Sequence, residues 1–220
     1  MKKIINALNR DIFNPLELIN SLKEINSFKV CYETKVRHYT LERHTFLVLS
    51  EYEKYFSIHN RPNIDKSVFR LLLAIHDIGK PLANNIGNRH QQYEFTADLL
   101  NKHRKELPLS LANFNLIKNI VTFDPIGLFL QNQLDLHSTV SQIEKRAKQS
   151  NFQRQDFFDI LCVYYQSDVA SYTKDAGGFA FLERLFTYKN NEKIYDKADG
   201  LLKFSPKIEI DFLKLKRFFK

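Results

Sequence analysis

The sequence contains only two cysteines, Cys31 and Cys162, and neither belongs to a CxxC pair. So little cysteine in 220 residues excludes a disulfide-stapled scaffold and a structural zinc site built from thiolates. Both absences favour a protein of the reducing cytoplasm.

Long apolar runs are also missing. The strongest apolar stretch, Leu71 to Ile75, lies within a mixed segment, whereas a membrane-spanning helix needs about 20 apolar residues. The first residues, MKKIINALNRDIF, are interrupted by polar Asn6, Asn9 and Arg10, and no small-residue cleavage site follows. The sequence therefore predicts a soluble protein without a transmembrane segment or signal peptide.

Glycine and proline are scarce, with six of each, and most stand where one apolar-periodic segment gives way to the next. Helix starts are indicated at Asn14-Pro15, Asn63 and Asp124-Pro125, because Asn and Asp cap a first turn and proline is tolerated within it. Apolar residues then recur at helical intervals. We predict an all-α, HD-domain-like helical bundle without strands before residue 203, with helices over 14–27, 41–57, 64–78, 90–106, 110–122, 125–132, 138–149, 154–172 and 178–199.

No repeat or Gly/Ser-rich linker divides the chain, so we predict one helical domain over 1–202 and a short extension over 203–220. The extension, KFSPKIEIDFLKLKRFFK, alternates apolar residues and then becomes basic and aromatic. A strand, an amphipathic helix and a docking arm all fit this pattern. Packing against its own domain is the commonest outcome for such a segment.

The formal net charge of +8 is unevenly distributed. Residues 203–220 hold six Lys and Arg against two acidic residues, six minus two, and so carry +4 of it. The body is only mildly basic, which suits a phosphate pocket better than a long nucleic-acid groove. Nucleic acid stays a possible partner of the basic tail, and solubility alone would also explain the charge.

The segment LLLAIHDIGKP ends an apolar helix in a His-Asp pair. Gly79 is expected to close this helix in the left-handed conformation, and Pro81 to prevent its continuation. His76 and Asp77 would then lie in the last turn, at the negative end of the helix, which favours a cation.

Two further residues interrupt apolar helix faces in the same way. Asp168 continues the stripe of Phe157, Leu161 and Tyr164, and His44 shares a face with Leu41, Leu47 and Val48. A buried carboxylate is costly unless it is paired. We therefore predict that His44, His76, Asp77 and Asp168 converge on one divalent metal ion. Mn, Mg, Co, Ni, Fe and Zn are all candidates for this ion.

This order of residues resembles that of the HD superfamily of metal-dependent phosphohydrolases. The resemblance covers roughly residues 37–175 and rests on RHT, HDIGKP and SDVASYT. It implies an all-helical fold and hydrolysis of a nucleotide or related phosphate ester, by a phosphomonoesterase or a phosphodiesterase. Dinuclear members usually carry a further histidine on the following helix, but IKNIVTFDP contains none, which favours a single metal ion. We interpret Asp124 in this segment as a helix cap.

Position next to the motif residues, and for His90 also the resemblance, suggests which residues contact the substrate. Asp77, Lys80 and His90 are the candidate catalytic residues. Arg43, Lys80, Arg89, His90 and Glu94 are the candidate contacts to a small phosphorylated substrate, most simply a nucleotide. His38, His59, His103 and His137 fall in loops or polar segments and are given no chemical role.

Two alternatives to this enzyme stay open. One is a non-catalytic HD domain that binds a nucleotide or RNA as a sensor or interaction module. The other is a different reaction, such as that of a lyase or oxygenase, on the same metal scaffold.

Overall fold

The structure is a computed structural model that describes residues 1–36, 39–172 and 184–219. It is mostly helical, with 66% of residues in helices and 7% in strands, which confirms the all-α class; the HD-domain likeness stays a prediction. Within the described ranges, no helix combines the length and apolar character that crossing a membrane requires. The chain forms two compact units, Met1–Ser50 with Ile64–Phe123, and Glu51–Asn63 with Asp124–Lys220.

The first unit is built from short helices around an apolar core. Its helices are α1 (Lys2–Leu8), α2 (Pro15–Leu22), α3 (Asn26–Glu33), the first part of α4 (Leu41–Tyr55), α5 (Lys66–Ile75), α6 (Lys80–Asn85), α7 (Gln92–Lys102) and α8 (Leu111–Val121). The antiparallel strands β1 (Lys35–Val36) and β2 (Tyr39–Thr40) precede α4. Helix α5 packs on α1 and α8, and α6 packs on α3 and α7. Almost every residue of α5 from Val68 onward is buried, so its C-terminal end is held firmly in this core.

The second unit contains α9 (Pro125–Leu130), α10 (Leu136–Gln149), α11 (Arg154–Ala170) and a C-terminal helix, Pro206–Lys216. Its short strands are β3 (Tyr188–Lys189), β4 (Glu192–Lys193), β5 (Tyr195–Asp196) and β6 (Leu201–Leu202), paired antiparallel as β3-β4 and β5-β6. The Gln166 side chain joins α11 to β6, because it both donates to and accepts from the Leu202 backbone, at 2.8 and 2.7 Å.

Several predicted elements are wrong. The segment predicted as a helix over 178–199 forms strands β3 to β5 from residue 188 onward, and residues 178–183 lie outside the described ranges. Strands β3 and β4 are joined by Asn190 and Asn191, which both have positive φ, 52° and 63°. A two-residue turn of this kind reverses an antiparallel hairpin, and asparagine is among the residues that adopt it most readily. The prediction of no strands before residue 203 is wrong for the same reason. Strands β1 and β2, near the start of the chain, also contradict it.

The start of the chain is also more divided than predicted. Helix α1 has no predicted counterpart. The helix predicted over 14–27 ends at Leu22 as α2, and a separate helix, α3, begins at Asn26 and continues to Glu33. Asn14 caps α2 and Asp124 caps α9, as predicted, whereas α5 is capped by Asp65 rather than Asn63.

The extension over 203–220 contains a helix rather than a strand. Phe212 and Leu215 on this helix are buried, and Phe219 just beyond it stacks on Phe158 of α11 at a centroid distance of 4.4 Å. Of its basic residues, Lys214 pairs with Asp211 and Lys216 pairs with Asp199. The tail is therefore part of the second unit's core.

Candidate metal centre

His76 stands directly after α5 as its C-cap residue and is 3% exposed. Its Nδ1 lies 2.7 Å from the carbonyl oxygen of Leu73. A carbonyl oxygen can only accept, so Nδ1 carries the proton and the lone pair of the neutral ring lies on Nε2. Metal-binding histidines are commonly oriented by such a hydrogen bond from the nitrogen that does not bind the metal.

The same end of α5 is fixed by a tyrosine from α3. The buried Tyr32 hydroxyl donates to the carbonyl oxygen of Ala74 at 2.7 Å. Helix ends leave backbone carbonyls without helical partners, and here Tyr32 and His76 use two of them. This anchoring holds the His-Asp pair in a set position.

Asp77 directs its Oδ2 atom at both histidines. This oxygen lies 3.6 Å from His76 Nε2 and 3.4 Å from His44 Nε2. His44 comes from the first turns of α4, is 2% exposed, and has its ring centroid 5.3 Å from that of His76. Tyr39, in strand β2 directly before α4, has its ring centroid 5.7 Å from that of His44.

His44, His76 and Asp77 could hold a metal ion, because one ligand atom from each lies within 4.8 Å of the other two. Two imidazole nitrogens and one carboxylate suit Zn, Mn, Fe, Co or Ni and leave coordination positions for water or substrate. The residues present therefore fit a divalent ion.

Lys80 contacts the same oxygen of Asp77. Its ammonium lies 2.6 Å from Oδ2, and the Lys80 side chain is only 22% exposed. Burial alone would raise the pKa of Asp77, but the Lys80 ammonium and the imidazoles of His76 and His44 hold it well below its ordinary value. Lys80 therefore belongs to the centre, where it neutralises Asp77.

Gly79 acts differently from its predicted role. Its φ of −84° is right-handed, and with Lys80 and Pro81 it begins a new helix, α6, instead of closing α5 in the left-handed conformation. The requirement for glycine is steric, since a Cβ there would lie 2.3 Å from the backbone nitrogen of Thr96. Gly79 N donates to the Thr96 hydroxyl at 3.1 Å, so α7 packs directly on the His-Asp turn.

The other predicted site residues of the first unit lie on the surface. Arg43, Arg89, His90 and Glu94 are all exposed. Arg43 places its guanidinium over the ring of Phe46, at 5.4 Å. Arg89 and His90 form a short 3-10 turn that packs on α6, the helix that begins with Lys80. Their contacts with a substrate stay predictions.

Asp168 lies in the second unit, in the C-terminal part of α11, and is partly buried. Its predicted role as a fourth ligand stays a prediction. His38, and the two ends of the 37–175 motif region, lie outside the described residues.

Sequence reasoning missed the residues that support the cluster. Tyr32, Tyr39 and Thr96 are ordinary core residues by their spacing, and no sequence signal distinguishes them. Gly79 is the exception, because a glycine two residues after a His-Asp pair signals either a turn or a close approach.

No protein-family model, curated protein or solved structure matches the chain. The resemblance to the HD superfamily therefore rests on the motif residues alone.

Proposed function

We propose that this protein is a metal-dependent hydrolase that acts on a nucleotide or a related phosphate ester. The observation that carries the proposal is the cluster of the buried His44 and His76 with the partly buried Asp77, with one ligand atom from each within 4.8 Å of the others. Two imidazole nitrogens and a carboxylate oxygen brought this close together form a ligand set that divalent transition metals prefer.

The metal would supply the hydrolytic chemistry, by lowering the pKa of a bound water and polarising a phosphoryl oxygen. The chain supplies the holding groups, His44, His76 and Asp77, with Asp168 proposed as the fourth. Lys80, whose ammonium lies 2.6 Å from Asp77, is placed to balance the negative charge of a phosphate. Asp77 is the proposed acceptor for a proton of the attacking water.

The substrate class rests on charge and on the motif resemblance. Lys80 lies in the cluster, and Arg89 and His90 lie on a turn against the same helix α6. Positive groups of this kind favour anionic substrates. We propose that the Arg89–His90 turn contacts the phosphate, with Glu94 and Arg43 at the edge of the site.

The first test is metal content. The purified chain, reconstituted with Mn, Co, Ni, Zn or Fe and desalted, is expected to retain about one ion per chain. His44→Ala, His76→Ala and Asp77→Asn should each lose affinity by more than the roughly 10–100-fold that outer-shell substitutions cause. His137→Ala and Asp98→Asn, at exposed positions, are the matched controls. Full metal retention by His76→Ala and Asp77→Asn would refute the site.

Asp168→Asn tests the fourth ligand in the same assay. A loss of affinity comparable to that of Asp77→Asn supports Asp168 as a ligand. Unchanged affinity leaves a three-ligand site of the first unit.

The second test is turnover. Phosphate release from a panel of nucleotides and bis(4-nitrophenyl) phosphate should require the metal and should disappear in the His76→Ala protein. Tight nucleotide binding without release would favour the sensor function instead. Because two histidines and one carboxylate also form the ligand set of Fe(II) oxygenases, oxygen consumption by the iron-loaded protein without phosphate release would favour that reaction class.

A further inference from the structure

A serine, a histidine and a glutamate of the first unit form a continuous hydrogen-bonded chain outside the metal centre. Ser27 Oγ lies 2.5 Å from His103 Nε2, and His103 Nδ1 lies 2.6 Å from Glu106 Oε1. Ser27 is 76 residues away from His103 in the sequence, so the fold alone creates the contact.

The tautomer of the His103 ring follows from its two hydrogen-bond partners. An ionised carboxylate can only accept a hydrogen bond, so Nδ1 of His103 carries the proton that Glu106 accepts. Nε2 of the neutral ring then has the lone pair and accepts the hydroxyl proton of Ser27. This is the arrangement in which a histidine acts as a general base toward a serine nucleophile.

The backbone and an aromatic ring fix the histidine in place. His103 ends α7, and Glu106 follows one 3-10 turn later with its amide donating to the His103 carbonyl. Phe28 contacts the imidazole edge-on at a centroid distance of 5.4 Å. His103 is 11% exposed and Glu106 53% exposed, so the base is shielded from water while the group that orients it is half solvated.

We propose that Ser27, His103 and Glu106 form a second catalytic centre, for acyl transfer. Ser27 Oγ attacks the carbonyl carbon of an ester as its proton passes to His103 Nε2. His103 returns that proton to the leaving oxygen, the alcohol departs, and Ser27 is left acylated. Water then attacks the acyl-serine with His103 again as base, which releases the carboxylic acid and regenerates the hydroxyl.

The helix that carries Ser27 offers donors for the negative oxygen that forms in this attack. Ser27 is the second residue of α3, and Ile25, at the N-cap position, makes no side-chain cap. Amide groups of a first helical turn have no acceptors within the helix. We assign the stabilisation of the oxyanion to the amides of this first turn.

A groove formed by sequence neighbours of His103 and Glu106 is the proposed binding site for the ester. It has a volume of about 1070 Å³ and is lined by residues that flank His103 and Glu106, namely Lys102, Arg104, Lys105 and Leu107, and by Met1 and Ile5. This size accommodates a small organic molecule. Three cationic side chains beside apolar ones favour an ester that carries an anionic group.

A fluorophosphonate probe, which phosphonylates activated serines, tests the nucleophile in the intact full-length protein. Peptide mass spectrometry should find the adduct on Ser27, and Ser27→Ala should abolish it. Ser21→Ala, which removes a hydroxyl bonded to a helix carbonyl, is the matched control and should label like the parent. An unlabelled parent protein, or an adduct on another residue, overturns the proposal.

Ester hydrolysis tests turnover. We expect release of nitrophenol from 4-nitrophenyl acetate above the buffer rate and faster release from the anionic ester 3-acetoxy-4-nitrobenzoate. His103→Gln should lower kcat by about 10²-fold or more, and Glu106→Gln should lower kcat with little change in KM, as expected of a positioning residue. Assays in EDTA separate this activity from any reaction at the metal centre. Absence of hydrolysis overturns the centre, and equal rates for the two esters overturn the groove as its substrate site.

Discussion

At the scale of single residues, the oxygen Oδ2 of Asp77 is the focus of the metal centre. It faces the ammonium of Lys80 at 2.6 Å and the imidazoles of His44 and His76 at 3.4 and 3.6 Å. A divalent ion bound by Asp77 would have to share that oxygen with Lys80 or displace it. Two unit charges about 4 Å apart repel by roughly 4 kcal/mol at an effective dielectric constant of about 20, so Lys80 opposes metal binding.

Replacement of Lys80 by glutamine should therefore tighten metal binding while it weakens catalysis. We expect the dissociation constant for Mn or Co to fall by roughly tenfold or more, and turnover of a phosphate ester to fall with it. Isothermal titration calorimetry measures the first effect. Lys29→Gln, at an exposed position on α3, should leave both quantities unchanged. Weaker metal binding by the Lys80→Gln protein would contradict this account of Lys80.

His44 could be predicted because it is a polar residue on an apolar helix face, and His76 and Asp77 because they form a polar pair at the end of an apolar helix. Such an anomaly is visible in sequence. The contact of Lys80 with Asp77 was less predictable, since a long side chain near a helix start can take many rotamers. The Ser27–His103 contact could not be predicted, because it depends on how α3 and α7 pack.

At the scale of secondary-structure elements, prediction succeeded where caps and periodicity agreed. Helices α4, α8 and α11 lie within a few residues of their predicted limits. The helix predicted after residue 178 was wrong because the spacing of its apolar residues fits the helical and the strand period alike. The Asn190-Asn191 turn, with both residues at positive φ, favours a hairpin. The predicted left-handed conformation of Gly79 was wrong. A glycine required by close packing against α7 and a glycine required by a left-handed cap look the same in sequence.

Gly79→Ala should destabilise the first unit strongly. Its Cβ would lie 2.3 Å from the Thr96 nitrogen and 2.6 Å from the Gln92 carbonyl oxygen, and both are backbone atoms that cannot turn aside. Overpacking of this kind costs about 1–3 kcal/mol or more. Urea unfolding of the purified proteins measures the loss.

Gly87→Ala is the matched glycine control for this comparison. Gly87 has a left-handed φ of 72°, but a Cβ there meets nothing within 4 Å. The Gly87→Ala protein should lose only about 1–2 kcal/mol of stability, which is the cost of a left-handed conformation for alanine. A loss at Gly79 no larger than the loss at Gly87 would show that α7 can withdraw from the His-Asp turn without cost.

The start of α5 gives a prediction about pH. Asp65 accepts from the amide and the hydroxyl of Ser67, both at 2.7 Å, and these bonds hold the pKa of Asp65 below its ordinary 3.8. A lowered folded pKa stabilises the protein above pH about 4, and the contribution is lost as the pH falls through the folded value. Asp65→Ala should therefore cost about 1 kcal/mol at neutral pH, with the difference shrinking below pH 4.

Thermal unfolding of the parent, Asp65→Ala and Asp65→Asn proteins from pH 3 to 7 checks this. Asparagine is also a good cap, so Asp65→Asn should stay near the parent at pH 7 and show less pH dependence. A pH-independent gap between the parent and Asp65→Ala would assign the loss to something other than the carboxylate.

At the scale of the whole molecule, the division into units does not follow the chain. The second unit takes Glu51–Asn63 from the middle of the sequence and joins it to Asp124–Lys220. Ion pairs join this segment to the later part of the unit: Glu51 with Lys193, Lys54 with Glu192, and Arg61 with Asp159. No change of composition marks residues 51–63, which is why the sequence alone predicts a single domain up to residue 202.

The second unit should depend on this early segment for its folding. Phe56 is fully buried and contacts Tyr195 edge-on, and His59 stacks on the same tyrosine at 4.4 Å. Loss of a buried phenylalanine side chain alone costs about 3–5 kcal/mol, which approaches the total stability of a small domain. A fragment of residues 124–220 should therefore show no cooperative thermal unfolding by circular dichroism. A chain in which residues 51–63 are joined to 124–220 by a long Gly/Ser linker should recover it, and a cooperative transition in the shorter fragment would show that Phe56 and its neighbours are dispensable.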